Sequence, residues 1–281
     1  MNEPRPRPPS PPGALSRVAR VLTLGWSDTP RGRLSLRRAA GRLARAALRL
    51  RSRPLPPNMV ASALVVAPHP DDEALGCGGT VALLVRHRAA VHVVFVTDGG
   101  ASHPSHPSAS RLDIAALRRA EARLATGALG VAWERVFFLD ERDGTLGDLG
   151  EERARDVVAR IAGLLTRLAP EAILLPCRRD GSSEHAASFD LVSRALRHAR
   201  LSPRMLEFPV WSWWNPLLLL RPMLTCRSVW RLDLRDVREA KARAIASYAS
   251  QTDPIPPETV PALPQGFASM FLCGEEFLFE A

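Results

Sequence analysis

Residues 61–80 read ASALVVAPHPDDEALGCGGT, and this stretch decides the fold. Its first seven residues, 61–67, form an apolar, Val-rich run of strand length. A tight polar cluster follows, His69, Pro70, Asp71, Asp72 and Glu73, and then Gly76, Gly78 and Gly79 lead into an apolar helical pattern. An apolar run, turn residues and a helix make the opening of a βα unit. In open α/β sheets the chemistry gathers at the carboxyl ends of the strands, so the cluster is expected at such an edge. His69 and Asp72 stand three residues apart across a turn, where one imidazole nitrogen and one carboxylate oxygen can meet at one cation. Histidine with carboxylate suits zinc, with a position left open for water. Asp71 is then a carboxylate beside the metal that need not bind it, and a base next to an activated water is what hydrolysis requires. The plain alternative is a surface turn in which an aspartate caps the helix. That alternative fits any single aspartate better than it fits the whole cluster behind a buried strand.

Past this unit the chain alternates. Helices are expected over 73–88, 112–130, 151–168, 188–198 and 237–250, and strands over 91–96, 136–139, 172–176, 206–211 and 229–234. That order predicts a Rossmann-like, three-layer α/β fold with a mostly parallel sheet and right-handed crossovers. A zinc site needs a third protein ligand. His87 and His198 sit in basic helix ends, His92 in a strand, and His106 in a Ser/Pro loop. His185 differs: it follows the strand over 172–176 and the turn CRRDGSSE, then opens a helix, which places it on the same sheet edge as His69.

Composition confines the rest. The chain has 281 residues and 46% apolar content, ordinary for one sizeable α/β domain with an extension. The net charge of +9 is unevenly held: residues 1–55 contain thirteen Arg, with only Glu3 and Asp28 as acids, so they carry +11 and leave −2 on the remainder. The expected division is an Arg/Pro-rich extension over 1–57 and a catalytic domain over 58–281. Residues 1–12 are Pro-rich, suiting polyproline II or disorder, and 13–25 have helical character. Over 33–51, Leu36, Ala40, Leu43, Ala47 and Leu50 recur at helical spacing with Arg on the other face. Such a helix can lie on an anionic membrane surface or dock its Leu/Ala face on its own domain. Cys77, Cys177, Cys226 and Cys273 form no C-x-x-C pair, which argues against a disulfide scaffold and a cysteine metal site. No run reaches the length of a membrane span, and Arg interrupts every apolar run near the N-terminus, against a signal peptide. A cytoplasmic protein, peripheral at most to the inner face of the membrane, is expected. The start of translation stays open between Met1 and Met59.

Pro68-His69-Pro70-Asp71-Asp72-Glu73 resembles the A/P-H-P-D-D-E motif of the LmbE-like, or GlcNAc-phosphatidylinositol deacetylase-like (PIG-L), family. Those proteins are zinc hydrolases that remove acetyl groups from N-acetylglucosamine-type sugars. The resemblance spans roughly residues 60–281 and implies Zn2+ on His69 and Asp72 with Asp71 as general base. Where the family has D-x-H-P-D-H-x-A, this chain reads Asp180-Gly181-Ser182-Ser183-Glu184-His185-Ala186-Ala187, which aligns His185 with the third ligand. The same alignment puts Ser182 where the family has a histidine thought to steady the oxyanion or protonate the leaving amine. His103, in the loop ASHPSHPSAS after the second strand, is the expected substitute, reaching over the site in an oxyanion or acid role. Arg118 and Glu121 form the R-x-x-E pattern, and Arg118 resembles the family residue that contacts substrate oxygens. Asp98 and Asp180 are further candidate substrate contacts. Asp143-Gly144 resembles the D-G turn, and Lys241…Ser250-Gln251 a helix end read as structural.

Residues 207–220, EFPVWSWWNPLLLL, suit a buried strand, a substrate lid or a lipid-facing patch. The expected activity is metal-dependent removal of an N-acetyl group from an amino sugar or glycoconjugate, soluble or lipid-linked. The alternative is a catalytically weakened relative acting as a membrane-surface or glycan-binding module. Dinucleotide binding fits poorly, because Gly76-x-Gly78-Gly79 is not G-x-G-x-x-G and two acids would face a pyrophosphate. No motif for reading a specific nucleic acid is present. The oligomeric state is left open.

Overall fold

The computed structural model describes residues 30–56 and 58–281; the Pro-rich stretch 1–12 and the helix expected over 13–25 lie outside them. The described chain opens with helix α1 (Pro30–Arg51) and a short strand β1 (Ser52–Pro54). The Val-rich run becomes β2 (Ser62–Ala67), and the glycine-bearing pattern becomes α2 (Asp72–Arg86). There follow β3 (Ala90–Thr97), α3 (Arg111–Ala128), β4 (Val136–Glu141), α4 (Glu151–Leu168), β5 (Ala172–Pro176) and α5 (Ser183–Ala199). The chain then runs through β6 (Arg204–Phe208), the short helices α6 (Trp211–Trp214) and α7 (Leu220–Thr225), β7 (Ser228–Asp233), α8 (Arg238–Ala246), α9 (Ala249–Thr252) and β8 (Glu275–Glu280).

The eight strands form one sheet in the order β1-β7-β8-β6-β5-β2-β3-β4. β2 pairs in parallel with both β3 and β5, and β8 alone runs against its neighbours β6 and β7. This is the mostly parallel α/β sheet that the alternation of elements predicts. β5 is buried along its whole length and β2 at all but its first residue, as strands covered on both faces must be. Successive side chains alternate between faces. Ala63, Val65 and Ala67 pack in one core layer with Leu75, Val81 and Leu84 of α2. Leu64 and Val66 enter the other, with Ile161 and Leu165 of α4 and Val192 of α5. Connections run from β2 out to β3 on one side, while β5 lies on the other. The carboxyl ends of β2 and β5 therefore flank a crevice, the place where open α/β sheets bind ligands.

Two expectations about the N-terminal segment change. Residues 30–56 are not an appendage: β1 pairs with β7 as the edge strand, and the Leu55 N–H donates to the Arg231 carbonyl at 2.8 Å. The division expected at 57/58 therefore cuts through a continuous sheet. α1 also docks by a different face from the Leu36–Ala40–Leu43–Ala47–Leu50 stripe. Gly41 and Leu48 are buried, with Ala44 and Arg45 half-buried beside them, while Leu43 is 74% and Leu50 90% exposed. The body offers aromatic rings to α1, and arginine stems cover them: Arg45 lies 3.8 Å from the Trp213 ring centroid and Arg37 4.3 Å from that of Trp214. Arg49 adds an ion pair to Glu275 at 2.7 Å.

α2 is broken at Cys77, which has φ −137° and ψ 17°. A break orphans carbonyls before it and N–H groups after it, and two distant residues take them up. Glu276 of β8 accepts from the Gly79 and Thr80 N–H groups at 2.8 and 2.7 Å and from the Thr80 hydroxyl at 2.6 Å. Lys241, the chain's single lysine, donates to the Leu75 carbonyl at 2.9 Å and to Glu276 at 2.5 Å. The four cysteines are free, two of them buried. Among the described residues no helix is long and apolar enough to cross a membrane.

Candidate active site

The turn after β2 is pinned from below by Thr97 of β3, whose N–H and hydroxyl both donate to the Pro68 carbonyl, at 2.9 and 2.8 Å. His69 follows, and Asp72 opens α2 with its carboxylate turned back onto it: Asp72 Oδ2 accepts from the His69 N–H at 3.0 Å and lies 3.1 Å from His69 Nδ1. From the neighbouring strand end, Ser182 caps α5, its hydroxyl accepting from the His185 N–H at 3.3 Å. That cap sets His185 in the first turn of α5, fully buried, with Nε2 3.3 Å from Asp72 Oδ1. The two imidazole centroids lie 5.9 Å apart.

His185 Nε2 is buried without a hydrogen-bond partner. A buried ring nitrogen that faces a carboxylate at 3.3 Å without forming a hydrogen bond to it leaves a polar demand that an ion between the two would meet. His69, Asp72 and His185 offer ligand atoms within 4.8 Å of one another. Each imidazole faces its own oxygen of the Asp72 carboxylate, His69 Nδ1 at 3.1 Å from Oδ2 and His185 Nε2 at 3.3 Å from Oδ1. The far nitrogen of each histidine is held by a further carboxylate. Asp180 Oδ2 lies 3.1 Å from His185 Nδ1, and Glu184 Oε2 lies 2.5 Å from His69 Nε2. Carboxylates placed behind imidazoles in this way orient metal-binding histidines. A second triplet, His69, Asp143 and Glu184, is also close enough to share an ion. It is the poorer cage, because Glu184 Oε1 already accepts from the Gly144 and Leu146 N–H groups at 3.0 Å each.

Asp71 stands beside this cluster without joining it. Its backbone has φ 133° and ψ −27°, a sparsely populated conformation that costs about 1–3 kcal/mol. The Asp71 N–H donates to Glu73 Oε2 at 3.1 Å, and Glu73 Oε1 in turn accepts from the single tyrosine, Tyr248, at 2.6 Å. Arg118 is buried and lies 3.3 Å from Asp71 Oδ2, while also donating to the Pro70 carbonyl. Burial pushes the Asp71 carboxyl up to about 7 against the pull of Arg118. Asp72 goes the other way: burial disfavours its charge, but the His185 and His69 imidazoles outweigh that and hold it well below the usual carboxylate range. For His185, burial lowers the pKa, and Asp72 and Asp180 overcome it, raising it to about 9. Adjacent carboxylates with values driven apart are the signature of divided roles.

A cavity of about 220 Å³ opens over these groups. His69, Asp71, Asp72, Arg118 and Asp143 line its polar side, and Val210, Trp211, Leu263 and Phe267 its apolar side. Other expected residues fall elsewhere. Asp180, an expected substrate contact, is fully buried and accepts from the Val210 and Trp211 N–H groups at 2.9 and 2.8 Å and from Ser212. It thus holds His185 and the start of α6 and does not reach the cavity. Asp98 is engaged by Arg111 and by the Gly100 N–H at 2.9 Å. His103 does not line the cavity; Ser102 does. His103 is buried, with Nε2 unpartnered and 3.6 Å from Glu258, and burial lowers its pKa, which favours the neutral ring. Gln251 and Phe267, which line the cavity, carried no signal in the sequence beyond the S-Q helix end.

Residues 64–196 match the family described as PIG-L, GlcNAc-PI de-N-acetylase. The chain is 27% identical over 201 residues to diacetylchitobiose deacetylase of Thermococcus kodakarensis, covering 70% of this chain and 72% of that protein. Two solved structures show the same fold. N,N'-diacetylchitobiose deacetylase from Pyrococcus horikoshii matches with a TM-score of 0.55 at 21% identity, over 77% of this chain and 80% of that one. The 4-carboxy-2-hydroxymuconate hydratase of Pseudomonas putida KT2440 matches with a TM-score of 0.54 at 24% identity, over 68% and 79%. The scaffold therefore hosts more than one reaction, and chemistry must be argued from the residues. Residues 64–196, with the Pro68–Glu73 motif near their start, thus match the PIG-L, or LmbE-like, family domain.

Proposed function

We propose that this protein is a metal-dependent hydrolase that removes an N-acetyl group from an amino sugar or glycoconjugate. The observation that carries the proposal is the buried, unpartnered Nε2 of His185, facing Asp72 and His69 beneath a cavity in which Asp71 is left over. His69, Asp72 and His185 would hold the ion. Two imidazoles and one carboxylate are the donor set of catalytic zinc. When bound, it would supply Lewis-acid polarisation of the acyl carbonyl and a more acidic attacking water. Asp71, raised toward neutrality by its burial, takes the proton from the attacking water and returns it to the departing amine. Acetate and a free amine are the products.

The second donor to the developing oxyanion is Arg118 in this reading. Ser182 is committed to the α5 cap, and His103 stands outside the lining, whereas Arg118 lines the cavity beside Asp71 with its Nε unpartnered. Trp211 and Phe267, whose rings lie 4.7 Å apart, give the apolar wall on which a sugar face can stack. The relative that acts on diacetylchitobiose supports an N-acetylated sugar as substrate class.

The test is acetate release from a panel of N-acetylated amino sugars, free and as glycoconjugates, by metal-loaded and chelated protein. Release that disappears with the chelator and returns with zinc is expected. Release indifferent to chelation would overturn the metal role. Stoichiometric metal without release from any substrate would favour the weakened, glycan-binding alternative.

A further inference from the structure

Helix α1 carries eight arginines and no acid between Pro30 and Arg51, a charge excess that its contacts with the body do not neutralise. Its inward face is taken up by the body through Gly41, Leu48 and the stacked Arg37 and Arg45. At about 100° per residue, the side facing away gathers Ala39, Ala40, Leu43, Ala46, Ala47 and Leu50, all exposed. Arg38, Arg42 and Arg49 form the seam between the two faces. Two of them, with Arg45, wall a cavity of about 350 Å³ against Trp213, Ser269 and Met270. No acid lines that cavity. The nearby carboxylates are already engaged, Glu275 by Arg49 at 2.7 Å and Glu276 by Lys241 at 2.5 Å. α1 also packs on the Pro216–Leu219 turn, and that turn and α7 add exposed Leu217, Leu220 and Leu224, at 58%, 55% and 77%.

We infer that the outward face of α1 seats on an anionic lipid surface, with Leu43 and Leu50 entering the acyl boundary and the Arg38–Arg42–Arg45 cavity taking a phosphate headgroup. The charge of the seam selects the occupant. An apolar helix face flanked by arginines without acids is the pattern of an interfacial helix, and basic groups beside it are drawn to anionic headgroups. A nucleic acid would use the arginines and leave the exposed leucines idle. A lipid surface uses both.

The experiment is flotation of the full-length chain with phosphatidylcholine vesicles, with and without phosphatidylglycerol, at low and high salt. Binding is read, not turnover, so the outcome stands apart from the hydrolase reading. Expected are retention on the anionic vesicles only, release by salt, and loss of partitioning by about tenfold or more in the Leu43→Glu, Leu50→Glu double variant. Arg38→Ala with Arg42→Ala should remove the preference for phosphatidylglycerol. Both pairs of side chains are exposed, so the melting temperature should not move. Equal partitioning to neutral vesicles, or none to either, overturns the inference, as does a leucine variant that floats like the parent. A lower melting temperature or a changed solution mass in that variant would show the face covered by this chain or a second copy, and would also overturn it. So would inorganic phosphate binding without vesicle binding, or DNA binding indifferent to the leucine changes.

Discussion

Two clusters of charge meet the same helix, α2, one at its break and one at its start, and they are built to opposite rules. At the break in α2, Lys241 and Glu276 lie 2.5 Å apart, and between them they take up the Leu75 carbonyl, the Gly79 and Thr80 N–H groups and the Thr80 hydroxyl. Neither side chain there is left without a partner. At the start of the same helix, Asp71, Asp72 and His185 are buried and His69 partly so, yet His185 Nε2 has no hydrogen-bond partner and Asp71 is held at φ 133°. Buried polar groups that are fully paired stabilise and specify a fold. A cluster that keeps an unsatisfied atom and a strained backbone has another demand placed on it. The family motif belongs to the second cluster. The first is the scaffold that lets α2 approach the sheet.

That contrast can be broken experimentally, and the largest effect is expected at Asp71. Asp71→Asn should lower kcat by about 10²–10⁴-fold while bound metal stays at the parent level. A variant of normal rate would move the base elsewhere. Next comes the paired cluster: Lys241→Met removes the cation paired with buried Glu276 and the donor to the Leu75 carbonyl, and should destabilise the fold by roughly 3–5 kcal/mol in denaturant titration. The protein that remains folded should turn over normally; a loss of kcat at unchanged stability would erase the distinction between the clusters.

The carboxylates behind the imidazoles give a smaller, separable effect. Asp180→Asn and Glu184→Gln should weaken metal affinity about 10–100-fold, with kcat largely restored at saturating metal. Metal affinity should also depend on pH in one direction. Asp72 and Asp180 raise the His185 imidazole to about 9 in the metal-free protein, so below that pH an entering ion must displace a proton. Affinity therefore rises with pH and levels off above about 9, which calorimetry in buffers of different ionisation heat would read as proton release. The smallest effect is expected at His103. It stands off the cavity lining, so His103→Ala should change kcat by less than about tenfold, short of the range for an acid or base.

These differences follow what a sequence can and cannot carry. The β2–α2 unit and its polar cluster are legible because every feature is local: a Val-rich run, a turn, and candidate ligands three residues apart. His185 was legible once the strand over 172–176 was assigned, since parallel strands bring their carboxyl ends to one edge. β8 was not foreseen. Residues 275–280, EEFLFE, place two buried glutamates in a strand, and their partners Arg49, Lys241 and Thr80 are far away in the chain. The docking face of α1 escapes the sequence pattern for a related reason. Periodicity selects the greasiest stripe, whereas the body presents tryptophan rings that arginine stems and a glycine fit better. Asp180 reads as an acid near the site, but its role rests on three N–H groups of residues 210–212, which only the fold supplies.

The central claim is that one divalent ion joins two imidazoles and a carboxylate, leaving Asp71 free, and anomalous diffraction from zinc-soaked crystals tests it most directly. The account predicts a single zinc peak at about 2.0–2.2 Å from His69 Nδ1, an Asp72 oxygen and His185 Nε2, with Asp71 outside bonding distance. A peak held instead by His69, Asp143 and Glu184, or one bonded to Asp71, would contradict it.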